Sequence, residues 1–171
     1  MIPNCSGPYG VLPEGRHPAT FDEIYDRFVV EAPFRERREL IFQALTLHAK
    51  LVASTFGRAR LWIDGGFVTH KTWAEPEDAD VAVLVPMSEY ARAAEDKNLP
   101  LWTVLGVAGE INRQPVGTLK LHPMGGLMDA FWLPDGVPSL AAAWDGLWSR
   151  VRDEHGDEVV GLKKGYLEVE V

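Results

Sequence analysis

Two kinds of hydrophobic spacing divide this chain. Between Thr20 and Thr55 apolar residues recur at helical intervals; from Arg60 onward they gather into short strand-like runs. Thr20-Phe21-Asp22-Glu23 has the hydroxyl and carboxylate of a capping box, so a helix is expected to start at Thr20, carry Ile24, Phe28 and Val29 inward, and stop at Pro33. A second, longer helix is expected from Arg35 to Thr55, with Leu40, Ile41, Ala44, Leu45, Leu47, Leu51 and Val52 as its apolar stripe and Gly57 closing it. Strands are expected at Arg60–Ile63, Ala79–Val85, Val116–His122, Leu127–Leu133 and Gly165–Val171. The third and fourth of these flank Pro123 and Gly125-Gly126 and read as a hairpin. Leu101–Leu105 fits a strand or a loop. Short helical segments are expected at Ser88–Glu95 and at Ser139–Arg152, the latter with Leu140, Trp144, Leu147, Trp148 and Val151 on one face. Residues 1–19, rich in Gly and Pro, read as an extended arm before a single domain, 20–171. Two helices followed by a mixed sheet with interspersed helices predict an α+β (α/β-like) fold.

Composition narrows the function classes. The 171 residues carry a formal charge of −8, which speaks against broad nucleic-acid binding, since that needs a basic footprint. A local contact stays open, because bound cations would reverse the sign at an acidic cluster. A single cysteine, Cys5, excludes an internal disulfide framework and a cysteine-based zinc cluster. Met1-Ile2-Pro3-Asn4 has neither a basic region nor an apolar stretch, and no apolar run approaches a membrane span, so a cytoplasmic protein without a signal peptide is expected.

The candidate chemistry lies in three acids. Asp78 and Asp80 stand two apart at the head of the run Ala79-Asp80-Val81-Ala82-Val83-Leu84-Val85 and project to one face of a strand. Asp129 lies inside Leu127-Met128-Asp129-Ala130-Phe131-Trp132-Leu133. An acid within an apolar strand is costly to desolvate unless something pairs with it, and three of them suggest a divalent cation. Upstream, Leu61-Trp62-Ile63-Asp64 runs into Gly65-Gly66, where bare backbone can approach a phosphate. Lys71 would reach such a phosphate, although a loop lysine is more often solvated. Asp64 reads as a surface acid pointing away from the site. His70 and His122 are ligands by type only, with no second His at helical spacing for zinc. Arg35, Arg37 and Arg38 read as a solvated basic face, and Trp144 and Trp148 as core.

Strand, Gly65-Gly66, a connection of about a dozen residues, Asp78-Ala79-Asp80 and a later Asp129 together resemble the polymerase-beta-like nucleotidyltransferase superfamily. The resemblance covers residues 58–133, and Leu12-Pro13-Glu14-Gly15 is similar to the arm of a small stand-alone subgroup. It implies a mixed-sheet nucleotidyltransferase core preceded by two helices. It also implies transfer of a nucleoside monophosphate from an NTP to a hydroxyl of an RNA end such as tRNA, a protein or a small molecule. Asp78, Asp80 and Asp129 would then be catalytic and hold two Mg2+ ions, or Mn2+, while Gly65, Gly66 and Lys71 would bind the nucleotide. The small size is similar to modules of toxin–antitoxin or defence systems, with a protein partner among the expectations. Two departures support an alternative, a catalytically inactive nucleotide-binding or protein-interaction module on the same fold. Gly66 stands where many members carry Ser, and no substantial helical domain follows Asp129.

Overall fold

A computed structural model describes residues 1–171. Its centre is a mixed five-stranded sheet, and the chain is α+β. The strands are β1 (Gly15–Pro18), β2 (Arg60–Asp64), β3 (Ala79–Val85), β6 (Met128–Pro134) and β9 (Gly165–Glu170), in the spatial order β1-β9-β2-β3-β6. The β1/β9 and β3/β6 pairs are parallel, and β9/β2 and β2/β3 are antiparallel. Two hairpins stand off this sheet: β4 (Val104–Ile111) with β5 (Gln114–Leu121), and β7 (Arg150–Arg152) with β8 (Glu158–Lys163).

The two faces of the sheet are covered unequally. Alternate residues Ala79, Val81, Val83 and Val85 of β3 join Leu61, Ile63, Met128, Ala130, Leu167 and Val169 in one large core. The opposite side of that core comes from helix α1 (Phe21–Tyr25), a π-helical turn through Val30, and the 22-residue helix α2 (Arg35–Phe56). Both halves of the Thr20/Glu23 capping box form. On the other face Trp62, Ala82, Leu84, Leu133 and Tyr166 meet Trp148, and less fully Ala141 and Trp144, of the single helix α3 (Pro138–Trp148). Face alternation along β3 puts Asp80 on this thinly covered side.

Several sequence expectations change. β6 does not pair with β5; it lies parallel to β3, while β5 turns back onto β4. Asn112 and Arg113, at φ of 51° and 63°, form the tight connection between β4 and β5. Gly106 and Gly109 break the apolar alternation that would have marked β4 as a strand. The last helix ends at Trp148, and Val151 is buried as the inward residue of β7 rather than as a helical one. Leu140 and Leu147 of the predicted face are exposed. In α2 the buried face is rotated: Arg38 and His48 take core positions, while Leu40, Leu47 and Leu51 are exposed. The polar pair is tolerated because backbone carbonyls accept from it, Leu101 from His48 and four others from Arg38. No helix is long and apolar enough to cross a membrane.

The N-terminal segment is built into this fold. β1 adds a strand to the sheet edge, Val11 bridges to Thr69, and Ile2 and Leu12 lie in the core. Leu12→Ala is therefore expected to cost about 2–5 kcal/mol in urea unfolding. The same change at Leu47, half exposed on α2, should stay within about 0.5 kcal/mol.

Candidate functional site

The shared strand β3 organises the acids. Asp80 lies directly opposite Asp129 of β6 on one side and Asp64 of β2 on the other. Register partners point to the same face, so Asp64, Asp80 and Asp129 form a row across three strands. Asp78 precedes β3 by one residue. Its carboxyl is pushed up first by burial and next by the charge of Asp129.

The ends and the middle of the row differ. At one end Asp64 is buried and ion-paired with Lys164, itself buried. Asp64 is thus an interior acid on the site face, not a surface acid. Burial raises its pKa and the Lys164 ammonium opposes that rise. At the other end Asp129 accepts from the Lys120 ammonium and the Thr103 hydroxyl, and His122 Nδ1 lies 3.9 Å from its Oδ1. In the middle, Asp78 and Asp80 receive no hydrogen bond and no ion pair. Burial, followed by the charges of Asp78, Asp64 and Asp129, pushes the Asp80 carboxyl up to about 7.

The glycine turn packs against this row. Gly65, at φ 84°, sits so close to Asp80 that a Cβ would run into its carboxylate. Gly66 starts a single 3-10 turn, Gly66–Val68, and a Cβ there would lie 3.3 Å from Lys71 Nζ. Lys71 is therefore half-buried over the turn, and burial lowers its pKa. The turn is fixed from behind by Arg38. Its guanidinium donates to the carbonyls of Phe67 and Thr69 at 2.6 Å each, of Pro33 at 2.6 Å and of Phe28 at 3.2 Å. With no carboxylate partner, burial brings its pKa down to about 10. The expected solvated arginine face thus contains the residue that ties α2 to the turn; Arg37 likewise donates to the carbonyls of Pro76 and Glu77. His70 is occupied elsewhere, donating to the Arg27 carbonyl.

A cleft of about 520 Å³ opens on the turn. Asp64, Asp80, Gly65, Gly66, Lys71 and Lys164 line its floor, and the β7–β8 hairpin with Arg150, Arg152 and His155 forms a facing wall. Asp78 and Asp129 stand outside that lining. Sequence reasoning missed Lys164 and Thr103, which reach the row from distant segments, and Lys120, which comes from β5, the neighbouring strand in sequence. A basic residue in the alternation Thr118-Leu119-Lys120-Leu121 was the one visible hint.

As their side chains stand, no three acidic or imidazole groups close around an ion. The donor set nonetheless fits a hard divalent cation. Two partly buried carboxylates lie unpartnered and repelling each other, the Cβ-free Gly65 backbone packs directly on one of them, and a buried His122 Nδ1 is unpartnered at the rim.

A family model matches residues 4–170, almost the whole chain. The chain belongs to DUF6932, a family of unknown function. Searches of characterised proteins and of solved structures found no match.

Two expectations follow from the geometry. Because the folded-state pKa of Asp80 is raised, the native state binds the proton more tightly than the unfolded chain between about pH 4 and 7. Stability is lost as pH rises through that window. Asp80→Asn should stabilise the metal-free protein by about 1–3 kcal/mol at pH 8, with the gain vanishing towards pH 4, as urea melts at the two pH values would show. Gly65→Ala should destabilise by roughly 1–3 kcal/mol through its positive φ and the Asp80 clash, while Gly66→Ser should remain within about 1 kcal/mol in the same assay.

Proposed function

We propose that the chain is a metal-dependent nucleotidyltransferase that moves a nucleoside monophosphate from an NTP to an acceptor hydroxyl and releases pyrophosphate. The observation that carries this reading is the unpartnered Asp78/Asp80 pair, of which Asp80 is in register with Asp129 and packed on a Cβ-free glycine turn. The finer fold assignment, a nucleotidyltransferase core built on β2, β3 and β6 behind two N-terminal helices, is part of the same proposal.

Each group has a role in this reading. Asp78 and Asp80 would hold Mg2+ or Mn2+. Such an ion would supply positive charge to the triphosphate, to the attacking acceptor oxygen and to the leaving pyrophosphate oxygen. Gly65 and Gly66 present bare backbone to the triphosphate, and Lys71, held over Gly66, offers it a cation. Lys164 neutralises Asp64 on the cleft floor, so that one acid of the row does not repel a phosphate. Asp129 faces the acceptor, orients its hydroxyl and takes its proton. Arg38 is a positioning residue that fixes the turn through backbone carbonyls and touches no substrate. The β7–β8 hairpin supplies the second wall of the pocket in place of a helical domain.

A second reading, an inactive nucleotide-binding or protein-interaction module, draws on one observation. Both ends of the acid row are already neutralised by lysines. Label transfer separates the two. The protein is incubated with each of the four labelled NTPs, Mg2+ or Mn2+, and tRNA or total cell protein. The enzyme reading predicts a labelled acceptor with one NTP. It also predicts that Asp78→Ala or Asp80→Ala lowers the rate by at least about 100-fold, that Lys71→Ala reduces it by roughly tenfold, and that Gly66→Ser preserves it. No transfer under any of these conditions would leave the binding-module reading standing.

A further inference from the structure

The acid row carries an excess of negative charge of a definite size. Asp64, Asp78, Asp80 and Asp129 contribute four carboxylates, and Lys164 and Lys120 are ion-paired into the row at its two ends. Glu77 and Lys71, the next charges outward, act on each other and offset one another. With all four carboxylates ionised, as a bound cation requires, the deficit left in the middle is two positive charges, which one divalent ion supplies.

The location of the lysines matters as much as their number. Asp129 is held at both oxygens: Thr103 donates to Oδ1, Lys120 to Oδ2, and the Thr103 hydroxyl oxygen in turn accepts from the backbone of Ala130, which leaves one further acceptor site on each oxygen. Lys120 is delivered to this place by the β4–β5 hairpin, whose register sets it opposite Leu105 and points it towards the sheet. Its side chain is 39% exposed, whereas that of Asp129 is 10% exposed, so the ammonium caps a buried carboxylate from the solvent side. By contrast Asp78 and Asp80 accept no side-chain hydrogen bond and touch no cation, and feel Lys120, His122 and Lys164 only at longer range. A second divalent ion would have to displace an ammonium already in contact with Asp129, against the charge of that ammonium and of the first ion.

We propose that the site takes a single divalent ion, on Asp78 and Asp80, and that the Lys120 ammonium is the resident cation on Asp129, where a second ion would otherwise be needed. This rests on the nucleotidyltransferase reading for the identity of the metal site, and it replaces the two-ion expectation drawn from the family resemblance. Lys120 then sits on the acceptor side of the displacement, where its charge lowers the cost of forming an alkoxide. The hairpin that carries it becomes part of the site, not an appendage.

Mn2+ titration of the full-length protein without nucleotide, followed by the electron paramagnetic resonance signal of free Mn2+, tests this without recourse to activity. The wild type should bind one Mn2+ per chain, Asp80→Asn none, and Lys120→Arg one. Lys120→Met, which keeps the length and removes the charge, should bind two. Two ions on the wild type, or a Lys120→Met protein still binding one with unchanged affinity, would overturn the proposal while leaving a metal-dependent enzyme intact. No ion on the wild type would overturn the proposal, and no ion even in the presence of a non-hydrolysable NTP would overturn both. Where Lys120→Met does not fold, Lys120→Gln takes its place, with two ions expected and one ion at unchanged affinity overturning the proposal.

Discussion

Mutual repulsion among four carboxylates, three in register on one face of the sheet and Asp78 just before β3, is the constraint around which this molecule is built. Strand β3 pairs with β2 on one side and β6 on the other, so Asp80 cannot move away from Asp64 or Asp129 without breaking sheet register. The fold answers the repulsion by position. Lys164 meets it where the row is deepest, Lys120 and Thr103 meet it at the rim, and nothing meets it in the middle. A sheet tolerates such an uncompensated centre only if most of its stability comes from elsewhere. Here it comes from the opposite face, where the N-terminal helices and the inward residues of four strands form the large core.

Division of labour between the two faces also explains the glycine turn. The chain leaves β2 at Asp64 and must pass close over Asp80 before β3 begins, and only a residue without Cβ fits at Gly65. Its other side is secured by Arg38, whose four carbonyl acceptors come from three separate stretches of backbone. A buried guanidinium without a carboxylate is expensive, and it is solvated here by carbonyl dipoles and by the ring of Phe67. That arrangement holds a loop still beside the acids without adding another negative charge to them.

Much of this was legible in the sequence wherever the information was local. The Thr20/Glu23 capping box, the span of β3 and the shared face of its alternate residues all follow from neighbours within a few positions. What was not legible is long-range. Nothing near Leu127 says that it will pair with Ala79 rather than with Val116, because parallel and antiparallel partners present the same alternation. Lys164 and Asp64 meet across 100 residues, and Lys120 reaches Asp129 only after the β4–β5 hairpin has folded. Arg38 and His48 misled for another reason. Helical periodicity counts apolar residues, and here two polar residues hold core positions by satisfying backbone carbonyls, which rotates the buried face of α2 and leaves Leu40, Leu47 and Leu51 outside.

The central claim is that the acid row is a cation site serving nucleotide transfer. A crystal structure of the protein with Mn2+ and a non-hydrolysable NTP, with anomalous diffraction recorded at the manganese edge, tests it most directly. The account predicts an anomalous peak bound by the carboxylates of Asp78 and Asp80, with the triphosphate lying over Gly65 and Gly66 in the cleft. An empty row with ordered side chains, or a nucleotide bound away from the glycine turn, would contradict it.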